Sequence, residues 1–251
     1  MKIILDEIGY AQDVLGEQII PKRAVDAIYI LAKYYSYMGA PAANSIKKIR
    51  SYLERNYREY NVELEGEQIR RSVRWALKHP ATTVDGVNIT KGEIDKIRDI
   101  PSKLKQRLMF TMLCLAKYYT AVNPNVRYWV KTPYPEILAM SNSSMKMRDF
   151  LLFLHALREM GYVGFAKAGD NLSLHILIAE DGVDADTDKT LWVQDFENLG
   201  YEWMRFLGGD IAACSECGKL MRRRGNRHKY CKECAKEINI QKTLERRLFK
   251  N

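Results

Sequence analysis

The chain has 251 residues, 47% hydrophobic and 28% charged, with a formal net charge of +9. That balance excludes a disordered chain, and the length suits one large domain or two to three small ones. No apolar run approaches the ~18–20 residues of a membrane span, and the opening Met1–Glu7 turns acidic at once, unlike a secretory signal.

In chain order, the first half reads as helical. Lys22 to Met38 places Val25, Ile28, Leu31, Tyr34 or Tyr35, and Met38 at helical spacing. Asn44 is expected to cap a second helix with the stripe Ile46, Ile49, Leu53 and Tyr57. A third is expected from Glu65 to Lys78, with Ile69, Val73, Ala76 and Leu77 on one side and Pro80 as its stop. Ala81 to Thr90 reads as a hairpin, because Asp85-Gly86 between β-branched residues favours a tight turn. A short helix, Lys91 to Ile100, stops at Pro101.

The next stretch has a similar outline. Ser102 to Thr120 predicts a helix with Leu104, Leu108, Met112, Leu115 and Tyr119 facing inward. Pro135 opens a short helix, Glu136 to Met140, and a longer one, Met145 to Met160, ends at Gly161. Its middle is nearly apolar all round, as in a helix buried on most sides. Strands are expected at Tyr162–Lys167 and Asn171–Ile178, joined by Ala168-Gly169-Asp170. Helix, helix, turn, helix, hairpin is the order of a winged helix-turn-helix. Both outlines begin with a helix containing Leu-Ala-Lys-Tyr-Tyr, at 31–35 and 115–119, which suggests two tandem winged-helix-like units. Within the second unit, Lys146 and Arg148 are the side chains placed to reach nucleic acid from the second helix of the motif. The acidic run from Glu180 to Asp188 superficially resembles a calcium loop, but lacks its central Gly and closing Glu, and reads as a solvated linker.

The most specific signal lies last. Cys214, Cys217, Cys231 and Cys234 form two C-x₂-C pairs, a spacing that aims four sulfurs at one tetrahedral Zn²⁺. The spacer, with Gly225-Asn226 as its turn, can form the hairpin joining the pairs. Disulfides would need an oxidising compartment, and a redox C-x-x-C would open a helix in a βαβ unit. Four thiolates close the coordination shell, so the zinc is expected to be structural. Cys114 lies in an apolar helical run and reads as a buried small residue. From Cys214 onward the chain carries 12 Lys and Arg against 4 Asp and Glu, a formal +8 of the total +9. Arg222, Arg223, Arg224, Arg227 and Lys229 crowd the hairpin, and Lys236, Lys242, Arg246, Arg247 and Lys250 follow on an expected helix. A basic hairpin and helix beside a zinc site suit phosphate binding.

The hairpin running into Tyr230-Cys-Lys-Glu-Cys-Ala-Lys236 resembles treble-clef and zinc-ribbon fingers. The stretch of about 85–240, through Lys103–Tyr119, Tyr128-Trp-Val130, Gly161-Tyr-Val163, Leu199-Gly-Tyr201 and the four cysteines, resembles an uncharacterised group of proteins from phages of Gram-positive bacteria. The resemblance implies a phage or mobile-element origin and assigns no activity, and with reduced cysteines expected the cytoplasm of the host bacterium is the natural compartment. Tandem winged helices also resemble plasmid replication initiators, which typically lack such a finger.

No nucleophile, NTP-binding loop or catalytic metal motif emerges from the sequence, and His79, His155, His175 and His228 are scattered. Tyr34, Tyr35, Tyr52, Tyr57, Tyr60, Tyr118, Tyr119, Tyr128 and Trp129 are read as core and rim packing before base stacking. The fold expected is mainly α with small β-hairpins: tandem winged-helix-like units plus a C-terminal four-cysteine zinc finger. Its parts are a helical, winged-helix-like domain at 1–100, a winged helix-turn-helix at 101–181, an acidic linker and connecting segment at 182–212, and the finger with its basic helix at 213–251. The function expected is that of a non-enzymatic, zinc-stabilised nucleic-acid-binding protein, DNA before RNA, in regulation or replication. The alternative is an adaptor or inhibitor that binds a host protein or nucleoprotein complex.

Overall fold

A computed structural model describes residues 3–58, 61–166, 173–181, 190–225 and 227–248. The chain divides into two compact units, Ile4–Asp85 and Gly86–Asn251 together with Met1–Ile3.

The smaller unit packs four helices: α1 (Glu7–Leu15), α2 (Ala24–Tyr37), α3 (Ala42–Asn56) and α4 (Val62–Ala76). Helix α1 has no counterpart among the sequence expectations, and its signal is local: the Asp6 carboxylate accepts the Gly9 N–H at 2.8 Å and caps the first turn. The stripes converge on one core containing Ala11, Val14, Ile28, Leu31, Ile49, Leu53, Ile69 and Val73. Fully burying each Leu, Ile or Val there contributes about 1.5–3 kcal/mol. Two sequence details differ. Helix α3 starts at Ala42 after Pro41, so Asn44 lies inside its first turn rather than capping it. Leu77 falls just past the end of α4 and is exposed.

The expected hairpin at 81–90 does not form. Thr83 makes one isolated bridge to Asp6, and β1 (Val87–Ile89) instead pairs antiparallel with β5 (Leu191–Val193), about a hundred residues away. Gly86 has φ 151°, and a Cβ there would stand 2.8 Å from the Trp192 ring and from the Val193 carbonyl. Its glycine therefore serves close strand approach rather than a tight turn.

The larger unit is built around α6 (Lys103–Val122). Every residue from Leu108 to Ala116 is buried, because neighbours cover the helix on nearly all sides. Among these are α5 (Lys91–Arg98), β1, β2 (Trp129–Val130), α7 (Tyr134–Met140) and α9 (Leu199–Phe206). Of the residues expected to face inward, Leu108, Met112 and Leu115 are fully buried, while Leu104 and Tyr119 are half-buried. Helix α5 starts with a capping box between Thr90 and Glu93. Following α7 come α8 (Met147–Glu159), β3 (Val163–Phe165) and β4 (Leu174–Ile176), and the three-stranded antiparallel sheet has the order β2-β4-β3. The turn expected at 168–170 lies outside the described residues.

Helix α8 corrects one expectation. Phe150, Phe153, Leu154 and Leu157 bury a single stripe, whereas Met147, Leu151 and Leu152 stand exposed. The connecting segment is also more structured than a linker. Its described part supplies β5 and α9, whose Trp203 is fully buried against Phe110 with ring centroids 5.1 Å apart. Gly200 lets α9 approach closely, since a Cβ there would lie 1.9 Å from the Ser141 carbonyl oxygen. Glu180 and Asp181 are anchored too: Glu180 accepts from Thr90 Oγ1 at 2.7 Å and Lys96 Nζ at 2.8 Å, and Asp181 meets Arg127 at 2.6 Å and Tyr128. The rest of the acidic run, 182–188, lies outside the described residues.

The repeated Leu-Ala-Lys-Tyr-Tyr carries structural content. In the smaller unit the buried Lys33 pairs with the buried Glu7 of α1, which also accepts the Thr82 N–H at 3.0 Å. In the larger unit Lys117 pairs with the buried Glu93 of α5 at 2.8 Å, and Glu93 accepts the Glu180 N–H at 2.8 Å. Each pair ties the core helix to the helix before it and to a later irregular segment, so both charges are compensated. The adjacent tyrosines pack edge-on in both places, with centroids 5.8 and 5.6 Å apart.

Candidate metal centre

Strands β6 (Ile211–Ala213) and β7 (Leu220–Arg222) form a two-stranded antiparallel hairpin packed against α9, and α10 (Lys232–Leu248) follows. Cys214 and Cys217 lie in the turn between the strands. Gly218 has φ 73°, and its N–H donates to the Cys214 carbonyl at 2.9 Å, closing that turn in a conformation that favours glycine. Cys231 precedes α10 and Cys234 sits in its first turn. The Ser215 N–H donates to the Lys229 carbonyl at 2.9 Å, holding the two pairs together.

The four sulfurs all lie within 4.8 Å of one another. A tetrahedral ion bound at about 2.3 Å separates its sulfurs by about 3.8 Å, and Cys217 Sγ and Cys231 Sγ stand 3.8 Å apart. The donor set therefore fits one metal ion. Backbone N–H groups stabilise the sulfurs as anions: the Cys231 N–H points to Cys214 Sγ at 3.2 Å and the Cys234 N–H to Cys231 Sγ at 3.5 Å. Burial by itself raises the Cys214 thiol. The backbone donors of Cys217, Cys231 and Glu216 outweigh it and bring the thiol down to about 6. Cys234 moves the other way, held protonated by sharing its hydrogen with Cys217 and Cys231. One thiol is thus readied for ionisation, the form in which sulfur ligates a metal. Cys114 is fully buried far along α6, and burial pushes its thiol well up, consistent with a packing role.

The basic residues surround this cluster on the same elements. Arg222, Arg223, Arg224, Arg227, Lys229, Lys236, Lys242 and Arg246 are all exposed. Arg223 pairs loosely with Asp210 at 3.7 Å, and the Arg224 N–H donates to His228 Nδ1 at 3.2 Å, which gives His228 a turn-bracing role. Among the described residues, Arg222, Arg224, Arg227, Lys229, Lys236, Lys242 and Arg246 have no ion-pair partner. Lys232, exposed in the first turn of α10, adds to the set and is not among the sequence candidates. The side chain of Arg247, together with Asn226 and Lys250, lies outside the described residues. Lys146 and Arg148 are exposed at the start of α8, on a different element from the finger.

The scattered histidines are accounted for locally. His79 stacks on Trp75 at 4.3 Å, His175 on Trp129 at 4.8 Å, and His155 lies beside Phe165 at 5.4 Å. Most of the tyrosines are committed to packing: Tyr35, Tyr52 and Tyr118 are buried, Tyr57 donates to the Pro21 carbonyl at 2.7 Å, and Tyr119 meets Thr132 at 2.9 Å. Tyr60 lies outside the described residues. Among the described residues, no helix is long and apolar enough to cross a membrane. No family model, curated protein or solved structure matches the chain.

Proposed function

We propose that this chain is a zinc-stabilised nucleic-acid-binding protein, DNA before RNA, whose phosphate contacts lie on the finger and α10. The observation that carries this reading is the surface around the four cysteines, where exposed cations without ion-pair partners occupy the hairpin and helix that hold the sulfurs. Zinc suits the all-sulfur tetrahedral donor set better than harder divalent ions. The order α6, β2, α7, α8, β3, β4 with its β2-β4-β3 sheet supports reading 103–176 as a winged-helix unit, in which Lys146 and Arg148 would open the second helix of the motif. A phage or mobile-element origin and a role in regulation or replication belong to the same proposal.

A second reading is an adaptor or inhibitor that docks on a protein or nucleoprotein complex. It is favoured by α8, whose outward Met147, Leu151 and Leu152 are 36%, 41% and 61% exposed. Such a row suits a protein surface better than base edges.

The test measures duplex and single-strand DNA affinity of the full chain across salt, against the triple variant Arg224→Ala, Arg227→Ala, Lys236→Ala. About six phosphate contacts give a log–log slope near −5, and the variant should flatten it by about 3. Equal slopes for both proteins would move the interface elsewhere. Negligible binding by the intact chain would favour the adaptor reading.

A further inference from the structure

A pocket of about 200 Å³ opens between the start of α6, the second half of α9 and β7. Its lining includes Lys103, Leu104, Arg107, Trp203, Met204 and Arg222. Three of its side chains are cations and none is an acid. Lys103 and Arg107 stand four residues apart on α6, so they share one face of that helix, where like charges repel. Arg222 reaches the same space from β7, across a long stretch of sequence.

Arg107 is the informative member. It is half-buried, and its Nη1 donates to the Asn142 carbonyl at 3.3 Å and the Met204 sulfur at 3.4 Å, both neutral acceptors. Among the described residues, Lys103, Arg107 and Arg222 have no carboxylate partner. Burial weakens the hold of Arg107 on its proton; Tyr201 partly offsets this, and the positive charge of Arg222 adds to it. A fold that gathers like charges around a desolvated guanidinium gains most when an anion enters.

We propose that Lys103, Arg107 and Arg222 form a binding site for one phosphate group. A phosphate monoester carries about −1.5 to −2 at neutral pH and several acceptor oxygens, which matches three converging cations better than a single carboxylate does. Arg107 presents the planar fork that grips two oxygens, and the exposed Lys103 and Arg222 close over the third. The site goes beyond the surface reading above, since Lys103 and Arg107 lie outside the finger and Arg222 alone is common to both. The phosphate has two candidate sources, a small phosphorylated molecule or the terminal phosphate of a nucleic-acid strand.

Calorimetric titration of the full chain with inorganic phosphate tests the site. Saturable binding that weakens at least tenfold in Lys103→Ala and in Arg222→Ala is the expected result. These exposed positions are the decisive ones, because Arg107→Gln also disturbs contacts to Asn142 and Met204. The source follows from oligonucleotides with a 5′-phosphate or a 5′-hydroxyl, titrated into the Arg224→Ala, Arg227→Ala, Lys236→Ala background. A preference for the phosphorylated end assigns the site to strand termini; inorganic phosphate binding without that preference assigns it to a small molecule. Absence of saturable phosphate binding, or equal affinity in the wild type and both single variants, overturns the proposal. That triple variant leaves the pocket intact, so failure of the DNA surface and failure of the pocket are separately visible.

Discussion

Removing the metal should melt α10 while leaving the rest of the chain folded, and the structure sets the scale. In the 17-residue α10, Cys234 is the one buried side chain among those described. Ala235 and Ile238 are half-buried, and every other described position is exposed. An isolated helix of this length is marginal in water, so its order depends on the anchor at its first turn. Around the cysteines, Leu220 and Met221 are the apolar side chains buried most deeply, and together they contribute about 3–6 kcal/mol. Ligation of a structural zinc contributes about 10–16 kcal/mol, so the ion dominates. Reduced protein should carry one metal per chain by elemental analysis, and Co²⁺ exchange should give the absorption bands of a tetrahedral thiolate site. Chelation, or Cys234→Ser, should then lower far-UV helical ellipticity by up to the share of α10 and open the 214–248 region to protease. Full retention of α10 helicity after the metal has gone would refute this reasoning, as would reduced protein that binds no metal.

Two further outcomes are expected. Glu93→Ala leaves the largely enclosed Lys117 side chain without its carboxylate, which should cost about 3–5 kcal/mol and lower Tm by about 10 °C in scanning calorimetry. The double change Glu93→Leu, Lys117→Met should recover only part of it, because the Thr90 and Glu180 N–H groups still lose the carboxylate that accepts them, and a single-variant cost under about 1 kcal/mol would show that the pair is not a keystone. Glu202 is buried on α9, and desolvation raises its carboxyl above the usual range despite the Arg205 guanidinium at 2.6 Å. A raised folded pKa means its contribution is complete below the unfolded value and lost as pH rises through the folded one. Glu202→Gln should therefore gain stability relative to wild type as pH climbs from the acid side toward neutrality. Denaturant titrations at several pH values check this, and a pH-independent difference would contradict it.

What the sequence determines by itself is what is decided locally. Two-residue gaps between cysteines set the turns that converge four sulfurs, so Cys214, Cys217, Cys231 and Cys234 are legible in the string alone as a cluster that can hold a metal ion. Helical periodicity places α2 through α8 to within a few residues, because burying one face is a requirement each helix meets along its own length. The repeated Leu-Ala-Lys-Tyr-Tyr is visible as a string, yet its meaning requires knowing that Lys33 finds Glu7 and Lys117 finds Glu93. Other features come only from the tertiary structure: β1 leaving its neighbour to pair with β5, α9 filling the core with Trp203, and the outer face of α8 staying bare. The gathering of Lys103, Arg107 and Arg222 around one pocket belongs with these. Each depends on side chains or strands distant in sequence meeting across the core, and no local pattern of residues records which distant partner will arrive.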